Sequence, residues 1–167
     1  SGAECIACGT LAPMSHIKKE GITGRLGAQL MSVVAAGNRH RIYLAPDVVQ
    51  SRAAQVDKPR DYPRQKLGFD PRNLWTPPYG LDHFSDLFTD RQLVALTTFS
   101  DLVVEAREQV LADALASGLP QGDRLTDGGS GAAAYADAIA TYLGMAVSRT
   151  ADLQNSIVTW SSSRDQA

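Results

Sequence analysis

The sequence has no long hydrophobic run, and no basic segment followed by an apolar one at its N-terminus. A bilayer span needs roughly 18 consecutive apolar residues and a secretory leader needs that basic-then-apolar pattern, so neither a membrane partner nor export is expected and the cytoplasm is the expected location. Cationic excess is missing as well. The chain carries 16 Lys and Arg against 18 Asp and Glu, a net charge of −2, so as a whole it has no surplus of cations to displace counterions from phosphate. No G-x-S-x-G, H-E-x-x-H or Walker sequence occurs, and no catalytic residue is assigned. What remains, 167 residues of which 44% are hydrophobic, is enough to bury a sizeable core.

The small net charge hides an asymmetry. Residues 1–80 hold 11 basic and 6 acidic side chains (+5), whereas residues 81–167 hold 5 and 12 (−7). The first half can attract a polyanion. Most of the acids in the second half fall at the spacings of a solvated helix face.

Only two cysteines are present, and they lie together in Cys5-Ile6-Ala7-Cys8-Gly9. In this spacing two thiolates from one tight turn reach the same metal, with the glycine supplying a positive φ after the second ligand. Three chemistries use such a pair. A thioredoxin-like motif needs a strand before and a helix after it, and Gly9 to Pro13 does not open a helix. A Cys2His2 site would have to recruit His16 or His40, which lack the close spacing of a histidine ligand pair. The third is the second knuckle of a zinc ribbon, with Cys5 and Cys8 as metal ligands and the other pair supplied from outside the chain. The Ser1-Gly2 start without methionine fits an excised segment.

Periodicity and punctuation predict a helix-dominated α+β fold in three stretches. Residues 1–56 are expected to hold the ribbon remnant, a hairpin and a short helix. The hairpin arms are residues 28–36 and 39–46 around a Gly37-Asn38 turn, and the helix is capped by Asp47. Residues 57–88 contain Pro59, Pro63, Pro71, Pro77 and Pro78 and read as a long irregular segment. Residues 89–167 read as an antiparallel helix pair. Its first apolar stripe is Leu93, Leu96, Phe99, Val103, Ala106, Val110 and Ala114, widened by Val94, Leu102 and Val104. The second is Tyr135, Ala136, Ile139, Tyr142, Leu143 and Ala146, with Gly144 permitting close helix contact.

Two short constellations carry alternative readings. Thr76-Pro77-Pro78-Tyr79 approaches the [DNS]-P-P-[YFW] motif of amino-group DNA methyltransferases, but Thr76 lacks the carbonyl or carboxylate that accepts from the exocyclic amine, and no buried strand precedes it. A proline-stiffened turn with Tyr79 packed is the expected structure. Asp127-Gly128-Gly129-Ser130-Gly131 precedes a helix as phosphate-binding loops do, yet a loop stands where a strand should, and capping by Ser130 is expected.

The knuckle, His16-Ile17-Lys18-Lys19-Glu20-Gly21, Arg41-Ile42-Tyr43-Leu44-Ala45-Pro46, Phe84-Ser85-Asp86-Leu87-Phe88-Thr89-Asp90 and Gly131-Ala132-Ala133-Ala134-Tyr135-Ala136 together resemble an interior stretch of a family. It is the large prokaryotic adenine-specific DNA methylase family containing a zinc ribbon, part of which is catalogued as a domain of unknown function. The resemblance implies a longer parent with an S-adenosylmethionine motif upstream and an Asp-Pro-Pro-Tyr motif downstream. It implies that Cys5 and Cys8 are half of a zinc site, and that this segment binds no S-adenosylmethionine and is inactive alone. On that reading its partners are DNA and the remaining domains of the same chain, with Lys18, Lys19, Arg25, Arg39 and Arg41 as phosphate contacts. A structural or partner-binding module without nucleic-acid contact is the alternative.

Overall fold

The computed structural model describes residues 2–159. The fold is helix-dominated α+β, with two small antiparallel hairpins and four α-helices. It divides into two units. One comprises residues 2–57 and 62–91, and the other residues 58–61 and 92–159.

The first unit begins with strands β1 (Gly2–Glu4) and β2 (Leu11–Pro13), paired antiparallel with Gly2 opposite Pro13 and Glu4 opposite Leu11. Helix α1 (Met14–Ile22) follows β2 without a linker, a helix that the sequence reading did not foresee. Its start has no local signature, because Pro13 occupies the N-cap without a side-chain hydrogen bond and the first turn has no acid. Tertiary packing supplies what the cap does not. Gly21 is buried against the turn at Pro77–Tyr79, where an added Cβ would overlap the Tyr79 carbonyl oxygen, and Gly80 meets the Gly21 carbonyl in return. The Tyr79 hydroxyl donates to the Met14 sulfur at 3.3 Å.

Strands β3 (Val33–Ala36) and β4 (Arg41–Leu44) form the second hairpin, in register Val33 to Leu44 and Ala36 to Arg41. The expected Gly37-Asn38 turn is displaced by one residue. The Gly37 amide donates to the His40 carbonyl at 2.8 Å, so Asn38 and Arg39 make the turn, with Arg39 at φ 61°. Gly37 instead serves a close approach, since a Cβ there would press on the His40 carbonyl at 2.8 Å. Helix α2 (Val48–Ala53) is capped as expected. Asp47 Oδ1 accepts from the Gln50 amide at 2.7 Å, and the Gln50 side chain accepts from the Asp47 amide at 2.9 Å.

The proline-rich stretch is largely irregular, with a single bridge between Lys66 and His83 and short 3-10 turns at Pro77–Tyr79 and Phe84–Leu87. Asp86 receives the amides of Asp82 (3.0 Å) and His83 (2.8 Å), which fixes the second of these turns. What the first unit buries is small or polar: Gly21, Thr76 and Ser85.

In the second unit, α3 (Asp90–Ala116, whose first two residues belong to the first unit) ends as expected near Gly118, at φ 91°. Helix α4 spans Ala132–Leu153. The Ala132 amide donates to the Pro120 carbonyl, while further from the connection Arg107 of α3 meets Asp137 of α4, so the ties run in antiparallel order. The buried apolar residues are Leu93, Ala114, Ala132, Ala133, Ala134 and Ala136. Five of these six are alanines, so the burial is thin, and each contributes far less transfer energy than a leucine. Phe99, Leu102, Val104, Tyr135, Tyr142, Leu143 and Ala146, placed by periodicity in the buried stripes, are exposed. Gly144 faces open space among the described residues and not a neighbouring helix. No helix among the described residues is long and apolar enough to cross a membrane.

Candidate functional site

The thiol knuckle is built by the first hairpin. Pairing of β1 with β2 forces residues 5–10 into a tight turn, closed by Cys5 N donating to Thr10 O (2.9 Å) and Gly9 N donating to Cys5 O (2.8 Å). Gly9 takes φ 71°, the conformation expected after the second thiol. Both cysteines are free and exposed. The Cys8 thiol lies 3.3 Å from the Thr10 hydroxyl, and hydrogen bonding from Thr10 and Cys5 holds its pKa below the ordinary thiol value.

This geometry separates the readings of the pair. The thiols sit between two antiparallel strands and not at the head of a helix, which removes the thioredoxin-like arrangement. Neither histidine joins them. His16 pairs with Glu20 at 3.9 Å along α1, and His40 bonds the Asn38 carbonyl at 2.9 Å in the second hairpin. Among the described residues no three His, Cys, Asp or Glu side chains cluster around a common point. Cys5 and Cys8 thus stand as a two-thiol pair with no third His, Cys, Asp or Glu gathered beside them among the described residues.

The five basic candidates separate into distinct environments. Lys19 is exposed in the last turn of α1, and Lys18 lies over the Tyr79 ring at 5.7 Å from its centroid. Arg25 is engaged elsewhere. It forks onto Glu20 through Nε (2.6 Å) and a terminal nitrogen (2.7 Å), an arrangement that lowers the Glu20 pKa and raises that of Arg25. The Arg25 side chain remains 56% exposed in this pair. Arg39 and Arg41 sit on the other hairpin, Arg39 exposed at its tip and Arg41 half-buried at the start of β4.

The two short constellations are occupied structurally. Thr76 is buried, its hydroxyl accepting from Asn73 Nδ2 at 2.7 Å, and Tyr79 packs on α1 through Met14 and Lys18. The Thr-Pro-Pro-Tyr turn is a packing element, and its first residue faces protein and not a substrate amine. At the glycine-rich stretch, the N-cap position of α4 is Gly131 and not Ser130, and it has no side-chain cap. The amides of Ala132 and Ala133 donate to the carbonyls of Pro120 (2.8 Å) and Gln121 (3.0 Å). Those carbonyls replace the serine cap and take the amides that a phosphate would need.

Nothing in the sequence spacing singled out Asp137, which organises the second unit. It is 8% exposed and accepts from Arg107 Nε (2.7 Å), Arg124 Nε (2.7 Å) and the Leu125 amide (3.1 Å). Arg124 above all, then Arg107 and the Leu125 amide, hold its pKa down at about 2 against the cost of burial. The arrangement anchors residues 124 and 125 of the helix connection and offers no open face for chemistry. No family model, curated protein or solved structure matches the chain.

Proposed function

We propose that this chain is an accessory region of an S-adenosylmethionine-dependent DNA adenine methyltransferase, serving DNA engagement or scaffolding and carrying no catalytic motif of its own. The supporting observation is the preformed knuckle. Cys5 and Cys8 are both exposed on a turn whose backbone is already closed, as half of a zinc ribbon requires. When bound, zinc would clamp this turn to a second knuckle from elsewhere in the parent protein. The chain's own contribution is to hold the two sulfurs on one turn. Lys18, Lys19, Arg25, Arg39 and Arg41 are the phosphate contacts on this reading, with Arg25 shared with Glu20.

Duplex binding measured across a salt series tests the DNA role. The affinity is expected to fall as salt rises, and Arg39→Ala with Arg41→Ala should flatten the log–log slope by about 2. Binding that is absent, or indifferent to salt, refutes it.

A scaffolding role without nucleic acid is favoured by a separate observation. Phe99 and Leu102 on α3, and Tyr142 and Met145 on α4, are 46%, 46%, 73% and 62% exposed, which is costly unless another surface covers them. Retention of full parent activity by the double arginine variant, with loss on Tyr142→Ser, would select this reading.

A further inference from the structure

The chain entering β3 and one side of α2 bound an open hollow of about 350 Å³ within the first unit. Gln50, Ala53 and Ala54 stand at i, i+3 and i+4, the spacing that puts three side chains on one side of a helix. Two of the three are alanines, so α2 does not fill the space lined by Leu30, Val33 and Val34. Ser32 and Arg91, the latter from the first turn of α3, complete the lining.

The polar side chains of this lining are donors without protein partners. Gln50 is oriented by its own cap, because its Oε1 accepts from the Asp47 amide at 2.9 Å. Its Nε2 and the Ser32 hydroxyl have no hydrogen-bond partner among the described residues, and Arg91 has no ion pair there. Arg25, Arg72, Arg107, Arg124 and Arg149 each hold a carboxylate of this chain, whereas Arg91 holds none.

Five apolar residues, two neutral donors, one cation and no acid select the guest by chemistry. An apolar body leaves water against the aliphatic side, and a negative group meets Arg91 in charge-assisted hydrogen bonds. A neutral apolar guest leaves the donors unmet, and a cationic one is repelled. Size separates a small molecule from a protein surface. The hollow falls at the low end of the roughly 300–1,000 Å³ of small-molecule sites, whereas a stable protein interface needs about 1,000 Å².

We propose that this hollow binds a small carboxylate with an apolar body. The body lies against Leu30, Val33 and the two alanines of α2, and the carboxylate is held by Arg91 with Gln50 and Ser32 as further donors. No residue of the lining is among the phosphate contacts assigned above, so the site stands apart from the DNA reading and neither test decides the other.

The test titrates the full ¹⁵N-labelled chain with sodium octanoate. Octanoate is expected to shift the amide resonances of residues 30–34, 50–54 and 91 saturably, with a dissociation constant of roughly 0.1–1 mM. 1-Octanol has a similar body without the charge, and is expected to bind about tenfold more weakly or worse. Arg91→Gln should bring octanoate down to the level of octanol and, since Arg91 is exposed, leave the rest of the spectrum native. Ala53→Phe, which fills the hollow from α2, should abolish both. Shifts that spread beyond the lining, or that do not saturate by about 10 mM, overturn the proposal. Equal binding of octanoate and octanol overturns it too, as does native octanoate affinity in Arg91→Gln. A short peptide with an apolar last residue and a free carboxylate, if bound about tenfold tighter than octanoate, also overturns it by assigning the hollow to a protein terminus.

Discussion

Arg107 and Asp137, 30 residues apart in sequence, meet through Nε and Oδ1 at 2.7 Å and join α3 to α4. Asp137 also holds Arg124 at the same distance, so one carboxylate neutralises two guanidinium groups and fixes the start of the 3-10 turn at Leu125–Asp127. Removing the carboxylate strands both cations. Asp137→Ala is therefore expected to lower the melting midpoint by roughly 5 °C or more. Arg107→Ala should cost less, and Arg124→Ala least, because the Arg124 side chain is 57% exposed against 22% for Arg107. An inverted order in differential scanning calorimetry would show that the pairing does not organise this unit.

The same carboxylate makes stability depend on acid. Its folded pKa, about 2, lies below the ordinary value of 3.8, so the folded state prefers the ionised form. The stabilisation is fully present above the ordinary value and is lost as pH falls from about 3.8 towards 2. Urea midpoints of the native chain should drop across this window more steeply than those of Asp137→Asn, which has no proton to take up. Parallel curves for the two proteins would assign the acid sensitivity to other groups.

Two glycines make a matched pair with opposite expected signs. Gly21→Ala drives a methyl group into the Tyr79 carbonyl, and is expected to destabilise the first unit by about 1–3 kcal/mol as overpacking does. Gly144→Ala meets nothing within 4 Å in the middle of α4, and should stabilise by about 1 kcal/mol through helix propensity alone. Denaturant midpoints decide both. A neutral Gly21→Ala would mean that α1 and the Pro77–Tyr79 turn separate freely.

Local chemistry was legible in the sequence and long-range chemistry was not. Asp47 and Gln50 cap α2 from three residues apart, and Gly118 with Pro120 ends α3, so short windows contain the information. Helix α1 escaped notice because its support is Tyr79, some 60 residues away, and not a cap. Asp137 is one acid among many until Arg107 and Arg124 converge on it. Periodicity marked Ala136 as buried but could not tell that Tyr135 and Tyr142 point outward, since a wide apolar stripe fits several rotations of the same helix. Within the candidate site, the knuckle was readable from spacing. The pairing of Arg25 with Glu20 was not, because it depends on the chain folding back at the end of α1 to bring Glu20 within reach.

The connection between α3 and α4 has a consequence for how this sequence can change. A Cβ at Gly122 would collide with the Ser130 carbonyl, and one at Gly131 with the Pro120 carbonyl, so the two ends of the loop interlock through backbone alone. A saturation library across residues 117–131 should find both positions intolerant of every replacement, while the neighbouring Gly128 loses only its φ of 71°. Mutational intolerance in a glycine-rich loop ahead of a helix resembles the footprint of a nucleotide site. Here it would record a latch, and a library scored for ligand binding would mistake carpentry for chemistry.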